Sequence, residues 1–82
     1  MNIVDEVDYQ YDVGSALMEQ VGGDHYSKLA IQPVEYINAN KLTYLQGNVI
    51  KYVTRYKDKN GLQDLQKAKH YIDMLIELED KK

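Results

Sequence analysis

Apolar and polar positions follow different rules in different parts of this chain. Between residues 1 and 19 the acids Asp5, Glu6, Asp8 and Asp12 are interleaved with Val4, Val7, Tyr9, Tyr11 and Val13. That alternation predicts a short extended arm, with few apolar groups to offset the entropy of ordering it. Ser15, Ala16, Leu17, Met18 and Val21 predict a brief helix ended by Gly22 and Gly23, which tolerate the positive φ of a helix stop. The run from Leu29 to Val34 contains Gln32-Pro33. Proline fits a first helical turn, where its missing N–H matters little, so a helix is expected through Val34-Glu35-Tyr36-Ile37 until Asn38-Ala39-Asn40.

The strongest periodicity lies between Gly47 and Lys59, which reads as one amphipathic helix. Leu45, Val49, Tyr52, Val53 and Tyr56 recur at three- and four-residue steps and are expected to face the core. Asn48, Lys51 and Arg55 keep the same spacing on another side, placing an amide, an ammonium and a guanidinium one above the other. Thr43 is the expected N-cap. Gly47 costs about 1 kcal/mol of helix stability relative to Ala, which close packing or a close ligand would explain. Asp58-Lys59-Asn60-Gly61 is a turn signal, and Leu62 opens a last helix whose core face is read as Leu62, Leu65, Ala68, Ile72, Leu75 and Ile76. The short loop predicts an antiparallel hairpin that brings Asp64, Lys67, His70 or Tyr71 towards Lys51 and Arg55.

The expected fold is therefore all-α: a small helical hairpin with a shorter preceding helix and an extended N-terminal arm. A chain of 82 residues buries only about 60% of its unfolded surface by itself. Two helices also carry apolar faces that one hairpin cannot cover, so a homo-oligomer is expected. The sequence has no cysteine and two histidines, which leaves no disulfide framework and no usual zinc ligand set. No metal or other cofactor is implied. There is neither a basic leader followed by an apolar run nor a stretch of membrane-spanning length, so the expected location is the cytoplasm, with no membrane partner.

Charge sharpens this reading. The formal net charge is -3, but residues 1–27 contain six acids and no Lys or Arg, whereas the remainder holds ten cations against seven acids. Between Lys51 and Lys69 six cations face only Asp58 and Asp64. Such a local basic surface suits a small anion better than extended nucleic acid, which requires phosphate contacts along a longer face. No acid lies between Glu35 and Asp58, so Lys51 and Arg55 lack an intrahelical carboxylate at the favourable i,i+4 spacing and are expected to be open to an anion. The plainer reading makes them a solvated face. Gly22-Gly23-Asp24-His25-Tyr26 is a second candidate, because paired glycines let backbone N–H groups approach an anion while His25 and Tyr26 supply donors. Its plainer reading is a turn capped by Asp24 with His25 on the surface.

Gly22-Gly23-Asp24-His25-Tyr26, Ile31-Gln32-Pro33-Val34-Glu35-Tyr36, Gly47 through Tyr56, Lys59-Asn60-Gly61 and Asp64-Leu65 with Lys67-Ala68 together resemble a small bacteriophage family. It is the SaV-like domain of unknown function, associated with the nucleotide kinase of certain lytic coliphages. The resemblance covers residues 22–79 and implies a phage origin, hence an infected bacterial host, and handling of nucleotides. It divides the chain into an acidic arm, 1–21, and a helical nucleotide-binding domain, 22–82. Lys51 and Arg55 are then the expected phosphate ligands, Asn48 serves phosphate or a base edge, and His25 and Tyr26 add hydrogen bonds or stacking.

Catalytic residues are not assigned. The chain lacks the Gly-x-x-x-x-Gly-Lys-Ser/Thr cradle, and phosphoryl transfer requires two nucleotides, magnesium and exclusion of water. The larger phage kinase carries sequence beyond this domain. The preferred expectation is a binding module that encloses a nucleotide between subunits and sequesters a signal of host antiviral defence. The alternatives are an enzyme related to nucleoside monophosphate kinases and an adaptor or inhibitor that binds a host protein through its acidic arm.

Overall fold

The computed structural model describes Ala16, Tyr26 and residues 28–82. The acidic arm, the brief helix expected around Ser15–Val21, and Gly22, Gly23 and His25 lie outside the described residues. Within them the chain forms α1 (Pro33–Ala39), α2 (Tyr44–Arg55), a short 3-10 turn (Tyr56–Asp58) and α3 (Leu62–Asp80), with no strand. No helix among the described residues is long and apolar enough to cross a membrane.

Local chemistry accounts for each boundary. Pro33 occupies the first turn of α1, and the Gln32 carbonyl accepts from the N–H groups of Glu35 and Tyr36 at 3.0 and 3.1 Å. At the other end Lys41 takes φ 55°. Its N–H donates to Asn38 and that of Leu42 donates to Ile37 at 3.1 and 3.0 Å, the paired bonds by which a left-handed residue closes a helix. Two residues later Thr43 starts α2 with a complete capping box. Its hydroxyl accepts from the Gln46 N–H at 3.3 Å, and its own N–H donates to Gln46 Oε1 at 2.9 Å. Gly61, at φ 52°, makes the turn into α3, a conformation that costs glycine little.

Helix α2 is the middle element and packs against both α1 and α3. Gly47 sits at the first contact: a Cβ there would lie 3.2 Å from Ile37 Cγ2, so the missing side chain is what brings α1 close. On the other side α2 and α3 form the expected antiparallel hairpin. Tyr52 stacks on Tyr71, with ring centroids 5.9 Å apart and planes 11° from parallel, while Tyr44 meets Tyr71 edge-on at 6.2 Å. A hydrogen bond with Tyr44, followed by burial, pushes the Tyr71 phenol above its ordinary value.

The face that α3 turns to α2 differs from the one expected. Asp64 and Ala68 are buried and Tyr71 and Leu75 half-buried, whereas Leu62, Leu65, Ile72 and Ile76 are exposed, Leu62 by 69% and Ile76 by 59%. Helix α3 is rotated so that its small and polar positions meet the hairpin partner, and an apolar stripe remains outside. On α2, Val53 is likewise 46% exposed, because the flanking helices cover other sides.

The rotation follows from one ion pair. Arg55 donates through Nε to Asp64 Oδ2 at 3.1 Å and through Nη2 to Oδ1 at 3.2 Å, and the Asn60 N–H adds a third bond to Oδ2 at 3.2 Å. Asp64 is 0% exposed and the Arg55 side chain 13%. The Arg55 hydrogen bond holds the Asp64 carboxyl below its ordinary value against the opposing effect of burial, and the Asn60 N–H assists. For Arg55, burial disfavours the charge, but the Asp64 bond and the neighbouring Tyr26 hydroxyl outweigh it and raise the affinity for the proton.

Two outcomes test this architecture. Ala68→Leu should destabilise the fold by about 1–3 kcal/mol through overpacking, while Leu62→Ser changes it by less than about 0.5 kcal/mol; urea denaturation yielding the reverse order would restore the face read from periodicity. Asp64→Asn should lower the thermal midpoint by roughly 10 °C, because it leaves a guanidinium uncompensated. Since the native Asp64 carboxyl is held below its ordinary value by the Arg55 hydrogen bond, its contribution is complete above the ordinary carboxylate range and is lost as the pH falls through the depressed value. The variant should show a shallower acid dependence of stability than the parent, and an unchanged slope would contradict the pairing.

Candidate functional site

Packing α1 across the first half of α2 leaves an open cleft of about 340 Å³, within the size range of small-molecule sites. Its floor is apolar, supplied by Pro33, Val34, Ile37 and Leu42, with Gly47 beneath and Thr43 and Tyr44 at one end. Each element has a visible cause. The short α1 is tilted onto α2 by the Gly47–Ile37 contact, the left-handed turn at Lys41 brings Leu42 inward, and the Thr43 capping box fixes where α2 begins. Tyr26, Gln32, Asn48 and Lys51 supply the polar groups of the lining.

Three of the five residues expected from sequence thus meet at one cavity: Tyr26, Asn48 and Lys51. Asn48 donates its amide N–H to the Tyr44 carbonyl at 2.8 Å, which orients the side chain by a bond within its own helix. Lys51 places its ammonium 4.7 Å from the Tyr52 ring centroid, a cation–π contact. Among the described residues it makes no ion pair. The Tyr26 hydroxyl is buried beside the Arg55 guanidinium, linking the segment before α1 to the hairpin.

Arg55 has a different environment from the one expected. It does not line the cleft, and the carboxylate missing from its own helix comes from α3, where Asp64 grips it through two nitrogens. Its expected openness to an anion is therefore corrected: intrahelical spacing says nothing about an acid across the turn. His25 lies outside the described residues. Gln32, Pro33, Ile37, Thr43 and Gly47 were not among the expected site residues; of these only Gly47 carried a signal, through its cost in a helix.

A second depression, of about 350 Å³, runs along α3 and is lined by Tyr52, Gln63, Gln66, Lys67, His70 and Tyr71. Among the described residues no group of three His, Cys, Asp or Glu side chains is placed to hold a metal ion. The cleft presents a mostly apolar lining together with the Asn48 amide and the Lys51 ammonium.

No curated protein matches this chain. No solved structure matches it. The model of DUF3310, a family described as proteins of unknown function, matches residues 21–73, a span that includes the cleft residues from Tyr26 to Lys51 and the Arg55–Asp64 pair. The match covers more than half of the chain, and the protein belongs to the DUF3310 family.

Proposed function

We propose that this protein is a bacteriophage accessory protein that binds a nucleotide and withholds it, sequestering a nucleotide signal of host antiviral defence. The observation that carries the reading is the cleft between α1 and α2. Its apolar lining suits a base, while Lys51 suits a phosphate and the Asn48 side chain supplies a hydrogen-bonding group. Phage origin and the nucleotide class rest on the sequence resemblance to the SaV-like domain. In this reading Lys51 makes the charged contact and Arg55 acts indirectly, by holding α3 and the Tyr26 hydroxyl in place.

Binding asks less of this site than phosphoryl transfer, which must seat two substrates and metal-bridged phosphates together. The exposed stripe of Leu62, Leu65, Ile72 and Ile76 favours assembly with a second copy, since a contiguous apolar surface of this kind ordinarily marks an interaction face. The same stripe is the feature that an adaptor to a host protein would use.

Titration calorimetry with nucleoside mono-, di- and triphosphates and cyclic dinucleotides tests the proposal. Lys51→Ala should weaken the preferred ligand roughly ten- to a hundredfold, the usual worth of a charge-assisted bond, with the thermal midpoint unchanged. Light scattering on the same samples should return more than one chain mass. Unaltered affinity in the variant would make Lys51 a solvated charge, and a monomer mass would remove the second copy.

A further inference from the structure

Three cations gather around one ring. The Lys51 ammonium and the Arg55 guanidinium carbon each lie 4.7 Å from the Tyr52 centroid, and the Lys67 ammonium lies 5.3 Å from it. The negative face of an aromatic ring offsets only part of their mutual repulsion. Arg55 is balanced by Asp64. Lys51 and Lys67 make no ion pair among the described residues, although they can be no more than about 10 Å apart by their distances from the shared ring. Elsewhere on α3, Lys69 and Lys81 reach carboxylates at 3.2 and 3.0 Å.

Lys67 belongs to the groove along α3, and Lys51 to the cleft beside α1. Gln63, Gln66, Lys67 and His70 fall at helical spacings that set an amide pair, an ammonium and an imidazole along one side of α3. All four can donate to oxygen, and the groove they line contains no carboxylate. Tyr52 lines the groove, stacked on Tyr71, and its ring is the shared neighbour of Lys51 from the cleft and Lys67 from the groove.

We propose that Lys67, with Gln63, Gln66 and His70, forms a second anion subsite that shares the Lys51–Tyr52 boundary with the cleft. The ligand class is then a nucleotide carrying at least two phosphate groups. This rests on the nucleotide reading of the cleft: a first phosphate sits at Lys51, and a further phosphate continues past Tyr52 to Lys67. A nucleoside monophosphate would leave the second ammonium uncompensated.

Two measurements on the full chain separate this subsite from the reading it rests on. In an NMR titration with pyrophosphate alone, side-chain signals of Lys51, Lys67 and His70 should shift while those of Lys81 stay fixed. Lys67→Gln, which keeps most of the side-chain length, should abolish the His70 shift. In calorimetry the same variant should lose about tenfold in affinity for a nucleoside triphosphate, the effect of one charged contact, and stay within about twofold for the monophosphate. No pyrophosphate response at Lys67, or equal losses for monophosphate and triphosphate, would overturn the subsite. A pyrophosphate response without binding of any nucleotide would retain the anion seat and reject the nucleotide reading instead.

Discussion

The Arg55–Asp64 pair is the constraint on which the arrangement depends. A carboxylate that is 0% exposed cannot remain ionised in the interior without partners, and its oxygens find two guanidinium nitrogens and one backbone N–H. Replacing such a pair by apolar side chains often leaves stability unchanged, so its principal effect is on geometry. The pairing requires α3 to turn Asp64 towards α2. That rotation buries Ala68, directs Tyr71 between Tyr44 and Tyr52, and leaves Leu62, Leu65, Ile72 and Ile76 outside.

The consequences extend to the cavities. With α3 held on one side of α2, α1 occupies another, and the absent Gly47 side chain allows the approach that defines the cleft. Lys51 stands where the two sides meet. The Asp64 charge satisfies Arg55 and leaves Lys51 and Lys67 as the cations near Tyr52 with no carboxylate among the described residues. A buried pair that orders the hairpin thereby also decides which positive charges near Tyr52 remain without a carboxylate.

Much of the fold was legible because its boundaries are encoded locally. Pro33 starts α1, Thr43 caps α2, and Asn60-Gly61 turns the chain into α3 through bonds made within a few residues. The rotation of α3 was not legible, since the row that meets α2 contains Asp64 and Tyr71 and shares Ala68 and Leu75 with the more apolar row beside it. Periodicity favours the stripe with more large side chains. The deciding term is a polar contact across the turn, between residues 55 and 64, which hydrophobic spacing cannot reveal. The candidate site was partly legible for the same reason: Asn48 and Lys51 share a face of one helix, whereas the apolar floor comes from α1 and its following turn, and the pairing of Arg55 comes from α3.

As proposed, the cleft holds a nucleotide and releases it unchanged. Mass spectrometry of small molecules freed by heat from protein purified without added ligand tests it most directly. The account predicts a nucleotide bearing at least two phosphates, present at a fixed ratio to the chain and recaptured intact when added back to fresh protein. Recovery of no nucleotide, together with none retained after add-back, would contradict it.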